Sequence, residues 1–318
     1  MIEEIVLLVP VFLAVLITAL YLWPVQRVPF NTLYAKVDGK HSGSLLTFRS
    51  NHPARSLEKS GARWDYVSFG EGKDTILFLH GMTGAYDIWW NQMDALGGLF
   101  RVISLTYPAV DTLGKLAAGV LAVLDAEGVG KAALVGSSLG GYLAQFMVAT
   151  HPDRVSRAVF ANTFPPNDLI AAKNKSLGKA LPFLPEWLVV KTLRGSFASS
   201  VYPASGNDEL TLAFLGEIGS GRMGKAQVLG RFNCIVEKFT PSDTAAPGIP
   251  VMIIESDNDP LVEPVLREQL KQTYPTAAVH TFAGTGHFPY LNRPDEYTRL
   301  LKEFLTTNTA DSQSSQKS

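Results

Sequence analysis

The sequence has a single cysteine, almost no net charge and no run of basic residues. The one cysteine among 318 residues, Cys234, excludes a disulfide framework and suits a reducing compartment. Lysine and arginine nearly balance the acidic residues, with a formal net charge of −1. This balance argues against a nucleic-acid partner. We expect Cys234 to be a small buried side chain.

The sequence also lacks the spacings that are typical of metal and nucleotide sites. The six histidines form neither H-x-H nor H-E-x-x-H, so we expect no metal site and no cofactor. Residues 219–225 (GSGRMGK) resemble a phosphate-binding loop. However, they follow a helical pattern, and Ala226 stands where such a loop needs serine or threonine. We therefore interpret this stretch as a flexible loop without a nucleotide.

One long apolar run stands near the start of the chain, at residues 5–23. At about 1.5 Å per residue, a helix of this length matches the hydrocarbon thickness of a bilayer. Tyr21 and Trp23 suit the membrane interface. Glu3 and Glu4 precede the run and no A-x-A site follows it, which disfavours a cleaved signal peptide. The run predicts a single-pass membrane anchor in contact with the lipid bilayer.

The residues after the run predict its orientation. Arg27, Lys36 and Lys40 follow the run and no lysine or arginine precedes it, so the positive-inside rule places the large domain in the cytoplasm. Residues 24–59 are polar and punctuated by proline and glycine, and we predict a juxtamembrane linker there. Residues 306–318 lack large apolar side chains and are predicted to be disordered.

From residue 60 to residue 305 the pattern predicts one α/β domain, in which short apolar strands alternate with amphipathic helices. We expect the strands at 64–69 and 75–80 to form a hairpin, and the sheet to be mostly parallel and twisted, with helices on both faces. The remaining strand patterns lie at 101–106, 132–135, 157–162, 251–255 and 277–282. The alternation stops over 165–248, where helical stretches without a clear strand pattern predict a helical cap.

The most informative stretch follows the apolar run 132–135, where the chain reads G-S-S-L-G (136–140) and then becomes helical. A strand, a sharp turn with serine at the bend and a helix form the layout of a nucleophile elbow. Ser138 has glycine two positions before and two positions after it. The serine backbone is strained and its neighbours crowd together, so side chains at the flanking positions would clash.

A serine nucleophile needs a base to take its proton and an acid to orient that base. After the strand 251–255 come two candidate acids, Asp257 and Asp259; we favour Asp259, which directly precedes Pro-Leu-Val, but Asp257 remains an alternative. After the last strand, His287 follows Gly286 in a loop where a histidine base is expected.

An oxyanion that forms on the substrate needs backbone donors. The N–H after the nucleophile, that of Leu139, is one candidate. The other is the Met82 N–H in the loop 80–84 (HGMTG). We expect His80 to anchor this loop by hydrogen bonds and not to act as a base.

Four motifs in this order, HGMTG, GSSLG, DPLV (259–262) and GHFP (286–289), resemble those of the α/β-hydrolase superfamily over about residues 60–305. The stretches VISLTYP (102–108), ANTF (161–164) and GSFASS (195–200) are more particularly similar to the maspardin group. The superfamily resemblance implies acyl hydrolysis by Ser138, Asp259 and His287. The maspardin resemblance implies an alternative, a non-catalytic binding or adaptor protein, because that group is better known for partners than for catalysis.

The sequence therefore predicts a membrane-anchored serine hydrolase of the esterase or lipase type. A carboxylic ester is the favoured substrate, with thioester, amide and C–C bond hydrolysis left open. The apolar stretch 181–190 of the predicted cap suggests a lipophilic acyl group. The oligomeric state and any protein partner are not predicted.

Overall fold

The computed structural model describes residues 2–242 and 248–307, with side chains from residue 10 onward. These residues form one eight-stranded sheet. Its strands are β1 Arg55–Lys59, β2 Ala62–Phe69, β3 Thr75–Leu79, β4 Arg101–Thr106, β5 Ala132–Ser137, β6 Val155–Ala161, β7 Val251–Ser256 and β8 Ala278–Phe282. Their order is β1-β2-β4-β3-β5-β6-β7-β8. β2 is antiparallel to β1 and β4, and the remaining pairs are parallel. The predicted α/β fold with a mostly parallel sheet is confirmed.

The expected hairpin between 64–69 and 75–80 is wrong. β4 lies between the two strands: it pairs antiparallel with β2 and parallel with β3. All five residues of β3 are buried, whereas β2 is buried only in part. A strand that is buried on both faces belongs in the middle of a sheet, so β3 takes a central place between β4 and β5.

The stretch 24–59 is folded onto the domain, in contrast to the predicted linker. It contains the helices α2 Phe30–Leu33 and α3 Gly39–Asn51, followed by β1. Leu45 and Phe48 are the two buried residues of α3, too few for a helical pattern to stand out in the sequence. The stretch therefore supplies an edge strand and a packed helix to the domain.

A tight turn joins β1 to β2 and makes the actual hairpin of this sheet. Its two turn residues, Ser60 and Gly61, have φ of 55° and 71°. A turn with positive φ at both central positions matches the right-handed twist of the flanking strands. Two-residue hairpin connections favour this kind of turn for that reason.

Helices cover both faces of the sheet. Besides α2 and α3, those outside the cap are α4 Trp90–Leu96, α5 Leu113–Ala126, α6 Leu139–Thr150, α13 Pro264–Thr273, α14 Pro289–Asn292 and α15 Pro294–Thr306. Alternate residues of the central strands face opposite sides, so Phe78 belongs to one hydrophobic cluster while Leu77 and Leu79 belong to the other. On one side α5 packs closely on Trp64, because a Cβ at Gly119 would lie 2.0 Å from the indole ring.

The cap lies between β6 and β7, within the stretch 165–248, and its described residues contain helices and no strand. The helices are α7 Leu169–Lys173, α8 Lys175–Ala180, α9 Glu186–Ser196, α10 Tyr202–Ala204, α11 Glu209–Glu217 and α12 Lys225–Val236. Lys225, which stands at the lysine position of the phosphate-loop resemblance, donates to the carbonyls of Pro182 (2.7 Å) and Leu184 (2.6 Å). Its ammonium group therefore supports the cap itself.

A partly buried ion cluster around the fully buried Asp87 attaches the cap and the N-terminal helices to the sheet domain. Arg222 donates to both oxygens of Asp87 at 2.9 Å, and Arg49 bridges Asp87 (2.7 Å) and Glu217 (2.9 Å). Tyr34 also donates to Glu217. Burial alone would raise the pKa of Asp87, but the two guanidinium groups outweigh it and hold that pKa below its ordinary value. The cluster joins three separate parts of the chain.

The N-terminal helix, α1 Ile2–Tyr21, carries exposed apolar side chains, among them Phe12 (67% exposed) and Ile17 (64%). Among the residues whose side chains are described, no helix is long and apolar enough to cross a membrane. The anchor over 5–23 stays a prediction, and the side chains of its first residues, 5–9, lie outside the described part. Residues 308–318 of the tail predicted to be disordered also lie outside the described part of the chain. The first residue of that tail, Thr306, is the last residue of α15.

Candidate active site

Ser138 sits at the bend between β5 and α6 in a conformation that few non-glycine residues adopt, with φ 55° and ψ −120°. The flanking glycines are required by crowding. A Cβ at Gly136 would lie 2.2 Å from the carbonyl oxygen of Gly140, and a Cβ at Gly140 would lie 2.0 Å from that of Leu79. The local sequence thus folds into a strained turn that leaves Ser138 partly exposed while Ser137 is buried.

Two hydrogen bonds fix this turn to the end of β6. The Ser138 N–H donates to the carbonyl of Ala161 at 2.9 Å, and the Thr163 hydroxyl donates to the carbonyl of Ser138 at 2.7 Å. The Ser138 carbonyl also accepts the N–H of Tyr142, which starts the hydrogen bonding of α6. The backbone of Ser138 is therefore held on both sides.

His287 pairs with Asp259 and not with Asp257. Its Nδ1 lies 2.8 Å and 2.9 Å from the two carboxylate oxygens of Asp259, and the side chains of both residues are at most 2% exposed. Asp257 instead accepts the N–H of Gly284 at 2.8 Å and so shapes the loop that carries His287. Of the two candidate acids, the geometry brings Asp259 to the histidine.

Asn162, at the end of β6, holds Asp259 in place, and the sequence reasoning assigned it no role. Its side-chain amide donates to Asp259 (2.9 Å), Ser256 (3.1 Å) and the carbonyl of Gly286 (3.4 Å). Its φ of 42° lies in the left-handed region that asparagine tolerates better than most residues. The signal that could have found it is its position directly after a buried strand, at the same sheet edge as Ser138.

The surroundings of Asp259 keep it ionised. Burial alone would raise its pKa, but the electrostatic interaction with His287 and hydrogen bonds from His287, Asn162 and the Leu261 N–H outweigh that effect. The pKa of Asp259 therefore lies below its ordinary value. An ionised acceptor requires a proton on Nδ1 of His287, which leaves Nε2 of a neutral ring free to accept a proton.

Ser138 follows β5, Asp259 follows β7 and His287 follows β8, all at the carboxyl edge of the sheet. β6 lies between β5 and β7, and residues 161–163 at its end link the serine turn to Asp259. Within the described residues no hydrogen bond joins the Ser138 hydroxyl to the His287 ring, whose partners are the Asp259 oxygens. Such a bond commonly tightens only when substrate is bound. The three predicted residues are thus placed at one edge, with the serine–histidine contact still open.

The loop after β3 reaches the nucleophile turn. A Cβ at Gly81 would lie 3.1 Å from the Ser138 Cβ, so the backbone next to Met82 passes directly beside Ser138. Leu139 is the first residue of α6, where backbone N–H groups have no partner within the helix. Both predicted oxyanion donors, Met82 and Leu139, therefore belong to segments that adjoin the serine.

His80 fixes this loop as a neutral ring. Its Nδ1 lies 2.6 Å from the carbonyl of Gly81, and its Nε2 accepts the Tyr107 N–H at 3.2 Å. Burial and the nearby charge of Arg231 hold its pKa well below the ordinary value. Because both ring nitrogens already have partners, His80 serves the loop and not proton transfer.

Arg231 of cap helix α12 also contacts this loop, and sequence reasoning missed it. Its guanidinium donates to the carbonyls of Met82 and Gly84. A charged residue within a cap helix carries no local sequence signal of such a role. Elsewhere, the described residues contain no group of three or more histidine, cysteine, aspartate or glutamate side chains that could hold a metal ion.

Comparison with known proteins shows which family the chain resembles. A profile of the Alpha/beta hydrolase family matches residues 76–300. The chain is 28% identical to mouse maspardin over 268 residues, which cover 81% of this chain and 85% of maspardin. It is 27% identical to a 2-hydroxy-6-oxononadienedioate/2-hydroxy-6-oxononatrienedioate hydrolase of Burkholderia vietnamiensis, over 76% of this chain and 91% of that protein. A crystal structure of a hydrolase from Pseudomonas aeruginosa PA01 shares the fold, with a TM-score of 0.71 and 22% identity, over 80% of this chain and 99% of that one.

Proposed function

The chain belongs to the alpha/beta hydrolase family, and from this premise we propose that it is a serine hydrolase that cleaves carboxylic esters through an acyl-enzyme on Ser138. The observation that carries the proposal is the strained backbone of Ser138 at the same sheet edge as the buried His287–Asp259 pair. Backbone strain at the partly exposed Ser138 is costly, and such strain persists where function requires the side chain to be presented.

In the proposed reaction the Ser138 hydroxyl oxygen attacks the acyl carbon while Nε2 of His287 accepts the hydroxyl proton. Asp259 holds the ring through Nδ1 and stabilises the imidazolium that forms. The tetrahedral intermediate collapses, and His287 gives its proton to the departing alcohol. Water then attacks the acyl-serine by the same proton path, which releases the carboxylic acid and restores Ser138.

The N–H groups of Met82 and Leu139 are proposed to donate hydrogen bonds to the carbonyl oxygen and to stabilise the negative charge that develops on it. The contact between Gly81 and Ser138 supports the first, and the position of Leu139 at the start of α6 supports the second. An N–H at a helix N-terminus adds the favourable end of the helix dipole. Such preorganised donors stabilise the intermediate more than the ground state.

The substrate is proposed to be a lipophilic ester presented at a membrane. Support comes from the exposed apolar side chains of α1 and from the exposed Phe183 of the cap (78%). The cap contacts the end of α1, since the Trp187 indole donates to the carbonyl of Leu20 at 2.7 Å. With α1 in a bilayer, this contact places the cap near the lipid surface, and the basic residues that follow α1 favour a cytoplasmic domain.

A second candidate function is a non-catalytic binding or adaptor role of the maspardin kind. The observation that favours it is the similarity to maspardin over most of both chains. Against it stands the combination of a strained serine with a buried and oriented histidine, which an inert scaffold does not need. The two candidates differ in one measurable property, the turnover of esters.

The test is hydrolysis of a series of nitrophenyl esters by the detergent-solubilised full chain. We expect Ser138→Ala and His287→Ala to lower turnover by roughly 10⁴–10⁶. Asp259→Asn is expected to cost about 10³–10⁴, whereas Asp257→Asn, the matched control two residues away, should cost less than about tenfold. A folded chain without ester turnover would contradict the proposal and favour the binding role.

A further inference from the structure

Arg231 lies in cap helix α12 and is almost fully buried, with 1% of its surface exposed. Its Nη1 donates to the carbonyl of Met82 at 2.6 Å and to that of Gly84 at 3.1 Å. Its Nη2 donates to the carbonyl of Tyr107 at 2.7 Å. One side chain of the cap thus holds the loop after β3 and the residue that follows β4.

Among the described residues no carboxylate pairs with Arg231. Its further contacts are the Met223 sulfur at 3.3 Å and the Tyr107 ring at 5.7 Å. Burial lowers the pKa of Arg231 to about 10, so the side chain is still a cation at neutral pH. An apolar side chain would fill such a site without the cost of burying a charge. The guanidinium therefore points to a role beyond packing.

The peptide groups on both sides of Met82 are held. The carbonyl of Gly81, bonded to His80, shares its trans peptide with the Met82 N–H. Because carbonyl and N–H of a trans peptide point in opposite directions, this bond directs the Met82 N–H away from His80. Arg231 fixes the next carbonyl, that of Met82 itself.

The two holding groups share one support, the backbone of Tyr107. Its N–H donates to Nε2 of His80, and its carbonyl accepts from Arg231. The rings of His80 and Tyr107 also pack together, with centroids 3.9 Å apart. The hydrogen bonds form a closed network between helix α12, the strand ends and the loop, and such networks resist local rearrangement.

We propose that Arg231 is a positioning residue of the oxyanion hole, which holds the carbonyls of Met82 and Gly84 so that the Met82 N–H faces the reacting carbonyl. The oxyanion hole then depends on the position of α12, so the cap contributes to catalysis. This inference rests on the proposed function, in which Ser138 is the nucleophile.

The experiment compares Arg231→Met with Gln227→Met in the full chain. Gln227 lies on the same helix and donates to the Tyr107 carbonyl at 3.0 Å, but it does not contact the loop. For Arg231→Met we expect kcat on a nitrophenyl ester to fall roughly 10²–10³-fold, the effect of one lost oxyanion donor, with KM within about threefold. Gln227→Met should keep kcat within about threefold.

A second readout separates positioning from general support of the fold. A trifluoromethyl ketone forms a tetrahedral oxyanion adduct with the serine, so its inhibition constant should rise about 100-fold in Arg231→Met while KM is nearly unchanged. Arg231→Lys keeps one charged donor, so its kcat should be at least about tenfold higher than that of Arg231→Met. A purely structural role would lower the melting temperature without selective loss of ketone binding.

A folded Arg231→Met protein with parental kcat would overturn the inference, as would an equal loss in Gln227→Met. If Arg231→Met does not fold, Arg231→Lys decides. Lysine lacks the planar fork that spans both loop carbonyls, so kcat of Arg231→Lys should fall about tenfold while its melting temperature stays at the parental value. A parental kcat in Arg231→Lys would refute the inference. If the parent hydrolyses no ester, the proposed function fails first. If the parent is active and the variants match it, only this inference fails.

Discussion

Replacement of Asn162 tests whether the support of the acid matters for catalysis. The Asn162 amide donates to the Asp259 carboxylate at 2.9 Å, where the side chains of Asp259 and His287 are at most 2% exposed. A hydrogen bond to a charged group contributes about 1.5–3 kcal/mol. At about 1.4 kcal/mol per factor of ten, its complete loss corresponds to a fall of roughly 10–150-fold in kcat/KM. Asn162→Gly removes the amide and accepts the left-handed backbone without strain.

The matched control is Asn207→Gly. Asn207 also has a left-handed backbone, with φ 61°, but it is exposed and lies in the cap. Both variants exchange the same residue type in the same conformation, so any backbone effect cancels in the comparison. Asn207→Gly should leave kcat/KM within about twofold of the parent.

The assay is nitrophenyl-ester hydrolysis measured across the pH range, with melting temperatures recorded alongside. Hydrogen bonding to the carboxylate helps to hold the pKa of Asp259 low, so loss of the amide raises the proton affinity of the Asp259–His287 pair. The acid limb of the rate profile should therefore move to higher pH in Asn162→Gly. An unchanged limb together with an unchanged kcat/KM would refute the reasoning.

Two further predictions concern the packing of the domain and the exposed N-terminal helix. Gly119→Ala places a Cβ 2.0 Å from the Trp64 ring and should destabilise the fold by about 1–3 kcal/mol or more in urea unfolding, whereas Gly114→Ala, on the same helix with nothing within 4 Å, should stabilise it by up to about 1 kcal/mol. Equal effects would contradict the packing argument. Ile17→Arg in the apolar helix α1 should move the full chain from the membrane fraction toward the soluble fraction, while Leu99→Arg, at a comparably exposed position of the domain, should leave it there. Retention of Ile17→Arg in membranes would argue against the anchor.

The central fold could be predicted because its signals are local. The strands around Ser138 are continuous apolar runs between turn residues, and the helices that follow them repeat at a helical period. The nucleophile turn can be recognised in the sequence by its flanking glycines, because the close backbone contact between Gly136 and Gly140 leaves no room for a side chain. The candidates for the catalytic acid could be reduced to Asp257 and Asp259, because in this fold the acid follows a later strand than the serine and precedes the histidine.

The errors arose where pairing or packing is long-range. Insertion of β4 between β2 and β3 is decided by contacts far along the chain, so adjacent strands were wrongly paired as a hairpin. The N-terminal stretch was predicted as a linker because α3 buries only two residues. The sequence predicts no role for Asn162 or Arg231, since their roles come from partners 97 and 149 positions away, at Asp259 and Met82. Such groups become visible only when the fold brings their partners together.

The most direct test of the account is covalent labelling of the solubilised full chain by a fluorophosphonate, followed by peptide mapping. The probe reacts with a serine whose hydroxyl is activated by a base. We expect the adduct on Ser138 and not on its buried neighbour Ser137, and we expect labelling to disappear in His287→Ala. An unlabelled Ser138 in the folded protein, or equal labelling without His287, would contradict the proposal that these residues form the catalytic centre.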